Sequence, residues 1–281
     1  MAQDTNKMEL YNKTVDAKLR ATSVFANIFN NRFDPIAPGM TGGAVNIPVR
    51  TEATAGAYTT ATGIALNSPA TTYQKLLLDE DYAVNELIDG FMAAAVPDGM
   101  VAERLDSAGY ALANKVDEKL AAALIAGGTA SSDTTALTKN NVYEKIVTDV
   151  TTAKKAKVDP SKIWIAVTSD TYAKLIQSPE FIAATANVGE LAAGYVGRLA
   201  GMPVYESINL NGLTTGSGSS QKTVDYVVGN GDFCHFVDGW NVPVAVRDLA
   251  DGAHIGCSVV SGRKAFGYKI TQATSVIYHN A

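Results

Sequence analysis

A serine and a lysine three positions apart can act as a nucleophile and the base that activates it. The segment Ser261, Gly262, Arg263, Lys264 has this spacing. The residues around it alternate as in a strand followed by a turn, and the partner motifs of such enzymes are missing. The pattern therefore favours a polar hairpin, with a Ser-Lys hydrolase as the less favoured alternative.

Zinc ligation is the second chemistry that the residue types suggest. The candidate ligands are Cys234, His235, His254 and Cys257. Cys234 and His235 are neighbours in sequence, and neighbouring side chains of a strand point to opposite faces. We predict buried, reduced cysteines and unrelated histidines, and therefore no metal site.

A short glycine motif, Gly229, Asn230, Gly231, Asp232, follows an apolar run, as a phosphate-binding loop would. Such loops need a further glycine and a helix that begins directly after them, and both are missing here. The motif predicts a tight turn. We therefore predict no catalytic residues and no cofactor.

The composition limits the remaining classes of function. The chain has 281 residues, of which 47% are hydrophobic and 18% charged, and its net charge is −5, which describes a folded acidic protein without a basic groove for nucleic acid. Its longest apolar run, Phe91 to Val96, is far shorter than the about 20 residues that span a bilayer. The first ten residues lack the apolar stretch of a secretory signal, so we expect a cytosolic product that enters no membrane.

The N-terminal part of the sequence predicts an arm and a ribbon. Residues 1–42 contain a weak amphipathic helix that ends at a Pro- and Gly-containing segment, which predicts an arm without a core of its own. In residues 43–84, two strand-like runs flank Thr51 to Thr71, a stretch made mostly of Thr, Ala, Gly and Ser. An isolated two-stranded ribbon is only marginally stable. We therefore predict a projecting hairpin that docks on another subunit.

Charged and aromatic residues in and beyond this ribbon are candidates for contacts between subunits. The acidic cluster at 79–81 could pair with arginines of a neighbouring copy, which would set register and specificity more than affinity. The alternative is a solvated end of a strand, because exposed charges usually contribute little. The predicted contact residues are Arg50, Glu52, Tyr58, Lys75, Asp79, Glu80, Asp81, Arg198 and Arg263.

One long helix dominates residues 85–136. Apolar residues recur at three- and four-residue steps between Met100 and Ala126, in the order Leu105, Ala108, Leu112, Val116, Leu120, Leu124. Asp98 could cap its start, and Gly127 with Gly128 should end it. A helix of about 25 residues spans about 38 Å, so it predicts a strut across a whole domain.

The segment 137–250 alternates strand and helix patterns, as an α/β domain does. Asn141 and Glu144 could form a capping box for one helix. Ile163 to Val167 predicts a buried strand, and a short helix over Ser169 to Gln177 should follow it. Residues 251–281 are again rich in strand patterns.

The order of these parts resembles the Hong Kong 97-like fold of tailed-bacteriophage major capsid proteins. The most specific likeness is the strand and helix from Trp164 to Leu175, followed by the hairpin Gly197, Arg198, Leu199, Ala200, Gly201, Met202, Pro203, Val204. The resemblance implies an α+β fold whose parts are an N-terminal arm at 1–42, an extended β-hairpin loop at 43–84, a peripheral domain with a long spine helix at 85–136, an axial α/β domain at 137–250, and strands returning to the peripheral domain at 251–281.

The same resemblance implies a structural role. The chain would self-assemble as pentamers and hexamers into the icosahedral or elongated head shell that encloses phage double-stranded DNA, which it would contact only non-specifically. Expected partners are a portal and, because no long charged helix precedes the arm, a separate scaffolding protein. Such a subunit is made in the host bacterial cytoplasm and ends in the virion capsid. The residues of the family's covalent cross-link cannot be aligned here, and Lys75 is better explained as a solvated lysine.

Two other shell or tube functions stay open at this point. An encapsulin-like bacterial nanocompartment shell protein would share the fold but enclose cargo enzymes. A tail-tube or sheath subunit would form open cylinders, because heterologous contacts that do not close generate filaments.

Overall fold

The computed structural model describes residues 20–21, 23–34, 43–50, 52–66, 68, 70–90, 100–178, 180–181, 194–218, 221–249 and 253–281. Most of the predicted arm and the proposed cap at Asp98 lie outside these residues. The helices are α1 Phe25–Ile28, α2 Met100–Gly127, α3 Val142–Lys155 and α4 Ser169–Ile176. The strands are β1 Ala44–Arg50, β2 Thr71–Leu77, β3 Glu80–Asp89, β4 Thr129–Ala130, β5 Ile163–Val167, β6 Tyr195–Leu199, β7 Met202–Glu206, β8 Thr214–Thr215, β9 Lys222–Asn230, β10 Cys234–Asp248, β11 Cys257–Ile270 and β12 Ile277–Asn280.

The larger sheet has the order β4-β12-β9-β5-β7-β6, with β8 paired to β9. Its central strand β5 is buried at every position, because α3 and α4 cover one face and α2 covers the other. Ile163, Ile165 and Val167 pack towards α3, whereas Trp164 and Ala166 pack towards α2. The predicted buried strand is therefore confirmed.

The predicted helix and hairpin that follow β5 are also present. Thr168 caps α4 by accepting a hydrogen bond from the Thr171 backbone N–H. Between β6 and β7 the chain turns at Ala200 and Gly201, whose φ angles are 50° and 87°. Positive φ at both central residues is the geometry of a two-residue hairpin turn.

The smaller sheet has the order β10-β11-β3 and is antiparallel throughout. The C-terminal strands belong to different sheets, since β11 joins this sheet and β12 joins the larger one. It also places β10, which falls within the predicted 137–250 segment, beside β11. The domain boundaries given above stay a prediction.

Helix α2 joins the two sheets, and its predicted apolar stripe is buried. Its N-terminal half packs through Ala108 against the smaller sheet. Its C-terminal half packs through Val116, Leu120 and Leu124 at the junction of both sheets. One rigid helix therefore fixes the two sheets relative to each other.

The expected capping box at Asn141 was wrong. Asn141 precedes α3, but its side-chain oxygen accepts a hydrogen bond from the Thr138 backbone N–H at 2.7 Å, and its amide donates to the Ala136 carbonyl at 3.2 Å. The side chain therefore stabilises the preceding turn instead of the helix start.

Candidate intersubunit surface

The ribbon consists of β1, β2 and the residues that connect them. The two strands pair antiparallel from Ala44 opposite Leu77 to Arg50 opposite Thr71, which confirms both predicted strands. Because side chains alternate across a strand, one face of the ribbon points to the body and the other points away from it.

The base of the ribbon packs on its own subunit. Its inward residues form a small cluster with Val237 and Phe33, and these are Val45, Ile47, Leu76 and Leu78. Gln74 also donates a hydrogen bond to the Thr271 carbonyl at 3.1 Å. We refer to this cluster as the ribbon base. Because the ribbon base packs on its own subunit, the expectation that the whole hairpin depends on another subunit for its packing is corrected.

The tip of the ribbon, residues 52–66, behaves differently. It bends back at Gly63, whose N–H donates to the Thr59 carbonyl at 2.8 Å and whose φ is 67°. Tyr58 is 71% exposed, Ile64 is 54% exposed and Leu66 is fully exposed. Large apolar side chains grouped on a projecting segment mark a binding surface.

Four of the predicted contact residues lie on the exposed parts of the ribbon. Arg50 and Lys75 are on the outward face of the paired strands, where Tyr73 and Leu77 are also exposed. Glu52 and Tyr58 belong to the ribbon tip. These residues therefore lie where another molecule could reach them.

The acidic cluster at 79–81 is engaged within the subunit. The Arg263 guanidinium holds Asp81 in a two-pronged ion pair, with Nε donating to Oδ1 at 2.8 Å and a terminal nitrogen donating to Oδ2. Asp81 and Arg263 thus pair within one subunit, and the contact of this cluster with a neighbouring copy stays a prediction. The ion pair also holds the pKa of Asp81 below its ordinary value.

Glu80 connects β3 to helix α2. Its carboxylate accepts hydrogen bonds from the Tyr82 hydroxyl at 2.7 Å, the Tyr268 hydroxyl at 3.1 Å and Lys119 Nζ at 3.3 Å. Partial burial alone would raise the pKa of Glu80, but these three donors outweigh it and lower the pKa. Glu80 therefore acts as a tie between the smaller sheet and α2.

The Glu80→Gln substitution tests this role through pH. Because the folded-state pKa lies below the unfolded value, Glu80 stabilises the fold above about pH 4.5, and this contribution is lost as pH falls through the folded pKa. We expect the Glu80→Gln protein to unfold at a lower temperature at pH 7 and to lose less stability on acidification than the parent. Thermal unfolding between pH 7 and pH 3 measures both effects, with the exposed Glu144→Gln variant on α3 as the control. An unchanged slope with pH would contradict this assignment.

Arg198 and Asp79 complete the predicted set. Arg198 is exposed on β6, which is an edge strand of the larger sheet. Asp79 lies between β2 and β3. The nine predicted residues thus fall on the ribbon, at the start of β3 with its β11 partner Arg263, and at the edge of the larger sheet, so they do not form one continuous site.

The outer face of the smaller sheet is a surface that the sequence did not reveal. Helix α2 covers the opposite face, and the outer face exposes Leu87 and Trp240 together with two arginines. Arg263 lies over the Trp240 ring at 5.1 Å, and Arg247 donates to the Ser261 hydroxyl at 2.8 Å. Aromatic and arginine side chains together are typical of protein interfaces.

Asp117 on α2 is a second residue that the sequence did not single out. Its buried Oδ1 accepts hydrogen bonds from the backbone N–H groups of Val24 and Phe25, at 2.8 and 2.6 Å, and from the Ser23 hydroxyl at 3.1 Å. Its Oδ2 accepts a hydrogen bond from the Asn209 amide at 2.8 Å. Asp117 of α2 thus caps the N-terminus of α1, because the N-cap residue of α1, Val24, has no side chain that could do so.

The weighed chemistries are not assembled in this geometry. Ser261 and Lys264 lie on opposite faces of β11, and Lys264 pairs with Asp238 at 2.9 Å. Cys234 and Cys257 lie at opposite ends of the β10 and β11 pair. Among the described residues, no group of three His, Cys, Asp or Glu side chains could hold a metal, and no helix has the length and apolar character to cross a bilayer.

Solved structures share the fold of this chain. A chain from Mycobacterium phage Che8 superimposes with a TM-score of 0.77 at 20% identity, covering 99% of this chain and 98% of that chain. The capsid structure of the cyanophage P-SCSP1u gives 0.76 at 14% identity, with 98% and 93% covered. The bacteriophage PhiM1 mature capsid gives 0.68 at 14%, with 97% and 91% covered. The Hong Kong 97-like α+β fold, a capsid fold, is therefore confirmed.

Residues 91–278 match the model of a family described as phage capsid protein. Because this match covers more than half of the chain, the chain belongs to that family and is a structural capsid protein. A comparison with curated proteins finds no match.

Proposed function

We propose that many copies of this chain associate as pentamers and hexamers into the closed head shell of a tailed phage, which encloses double-stranded DNA. The function is then association itself, without an enzymatic activity. A closed surface follows when heterologous contacts between identical subunits are related by rotations that close.

The ribbon tip carries the proposal. Residues 52–66 extend beyond the ribbon base and expose Tyr58, Ile64 and Leu66, whereas the ribbon base is already satisfied by its own subunit. Leaving such apolar surface in water is unfavourable by about 25 cal/mol per Å². A neighbouring copy that covers the tip would remove this cost.

The outer face of the smaller sheet is a suitable acceptor for a neighbouring tip. It offers apolar area at Leu87 and Trp240 and cationic groups at Arg247 and Arg263. Glu52 of an incoming ribbon tip would bring the opposite charge to these arginines. Charge pairs of this kind select partner and register, whereas the apolar contacts supply affinity.

The remaining expected partners also belong to the proposal. The net charge of −5 supports non-specific contact with packaged DNA, because few phosphates would be neutralised and the DNA could slide. A portal and a separate scaffolding protein would act during assembly. Synthesis would take place in the host bacterial cytoplasm and the product would end in the virion capsid.

Electron microscopy of the purified, concentrated protein tests the proposal. We expect closed particles with five- and sixfold capsomers, and nuclease-protected DNA inside particles isolated from phage. Particles that hold cargo protein and no DNA would instead indicate a nanocompartment. Open cylinders would indicate a tube or sheath, and a chain that stays monomeric at every concentration would contradict a shell function altogether.

A further inference from the structure

A buried histidine lies where three parts of the subunit meet. His235, at the start of β10, is almost inaccessible to solvent. The arm segment, which we define as residues 23–34, runs beside it: the Asn30 N–H donates to the Cys234 carbonyl at 2.8 Å, and the Phe236 N–H donates to the Asn30 carbonyl at 3.0 Å. His235 thus lies under a strand-like contact between the arm segment and β10.

The imidazole also contacts the elements that hold the ribbon base. The Phe33 ring meets it edge-on at 5.0 Å, and Phe33 packs on the ribbon base. His235 Nε2 is 3.4 Å from the Thr271 hydroxyl, and the Thr271 carbonyl accepts the hydrogen bond from Gln74 of β2. A change in the charge or position of this ring would therefore affect the packing of both the arm segment and the ribbon.

The site suits only a neutral ring. Nδ1 of His235 is buried and has no hydrogen-bond partner among the described residues. Protonation would place a second N–H there without an acceptor, and a buried donor left unpaired is costly. An unprotonated Nδ1 without a partner costs less than a buried N–H without an acceptor. The docked geometry therefore favours the uncharged imidazole.

The charged groups around the ring do not reverse this preference. The arm segment contributes Arg32 and Asp34, the turn between β9 and β10 contributes Asp232, and Lys269 lies opposite His235 on β11. Asp34 is engaged by the Asp238 backbone N–H at 3.0 Å. Burial, reinforced by Arg32 and opposed by Asp232, lowers the pKa of His235 to about 4.

We propose that His235 makes the docking of the arm segment sensitive to mild acid: when the ring is protonated, residues 29–34 separate from β10 and uncover the ribbon base. Between pH 6.5 and about pH 4 the separated form binds a proton that the docked form does not. Acidification therefore favours separation, and neutral pH restores docking.

Cys234 provides a native reporter of this movement. It is fully buried, shares a cluster with Phe25 and Phe29 of the arm segment, and lies beside His235. In a Cys257→Ser background it is the single thiol. Its reaction with 4,4′-dithiodipyridine, a disulfide reagent that works in acid, measures how often residues 29–34 separate from β10, because Phe29 packs in the same cluster as Cys234.

We expect the labelling rate of Cys234, divided by that of a cysteine peptide at the same pH, to rise by roughly 60-fold from pH 7 to pH 4.5, the ratio that a shift from 6.5 to about 4 gives. The additional substitution His235→Gln should abolish most of this rise, while the exposed His254→Gln should leave it unchanged. Circular dichroism at each pH checks that the sheets stay folded.

An equal rise in the parent and in His235→Gln would overturn the proposal. If His235→Gln does not fold, the Arg32→Gln variant decides the question. Arg32 is exposed, so this substitution should not disturb the fold, and the variant still contains His235. Removing its charge raises the pKa of docked His235, so the pH-dependent rise should be smaller than in the parent. A rise of the same size or larger in Arg32→Gln would also contradict the assignment.

Discussion

Deleting residues 54–70 is expected to leave a folded subunit that forms no particles. The deletion removes most of the ribbon tip but keeps β1, β2 and the ribbon base, and residues 51–53 suffice to connect Arg50 to Thr71, which are already paired. The core of the subunit therefore keeps its packing. Size-exclusion chromatography and negative-stain microscopy should show monomers where the full chain gives shells.

A length-matched variant separates the loss of apolar contacts from the loss of reach. Replacing Tyr58, Ile64 and Leu66 together by serine keeps the ribbon tip at its full length, and we expect assembly to fail here as well. A substitution such as Thr60→Ala, also exposed at the tip, should assemble normally. Normal shells from the deletion would show that the ribbon tip is not the main contact.

The Asp117→Ala substitution is expected to release the arm segment and to destabilise the subunit by about 3 kcal/mol or more. It leaves buried N–H groups at Val24 and Phe25 without an acceptor and removes a charged partner from Asn209. Hydrogen bonds to charged groups contribute about 1.5–3 kcal/mol each, and unpaired buried donors add their own cost. Denaturant unfolding measures the change in free energy.

Proteolysis gives a local measure of the same substitution. Trypsin should cleave after Arg20 and Arg32 much faster in Asp117→Ala than in the parent. The control is Asp106→Ala on the same helix, which removes the exposed pair with Arg20 and should leave the unfolding free energy close to the parent value. Wild-type stability and cleavage in Asp117→Ala would contradict the capping role.

Local patterns predicted most of the secondary structure. The α2 stripe and the buried run of β5 were visible because burial imposes a period on the sequence. The predicted capping role of Asn141 was wrong because its side chain bonds the Thr138 N–H and the Ala136 carbonyl of the preceding turn instead. Sequence spacing does not show which of the nearby backbone groups a side chain will bond. Sheet membership of β10 and β12 depends on pairing between distant segments, which local patterns do not contain.

The same limit applies to the site. Asp81 and Arg263 are 182 residues apart, so a single sequence could suggest both as contact residues but not their pairing within one subunit. Asp117 looked like one more charge on a long helix, and its role depends on an arm that reaches it across more than 90 residues. The ribbon was predictable because its composition, and not a distant partner, distinguishes it.

Helix α2 has a mechanical consequence for any shell built from this subunit. Since one continuous helix is embedded against both sheets, bending between the sheets would break the packing of Val116, Leu120 and Leu124. A shell that swells or changes curvature would therefore have to do so by turning whole subunits against each other, which changes the contacts between subunits and not the packing within them.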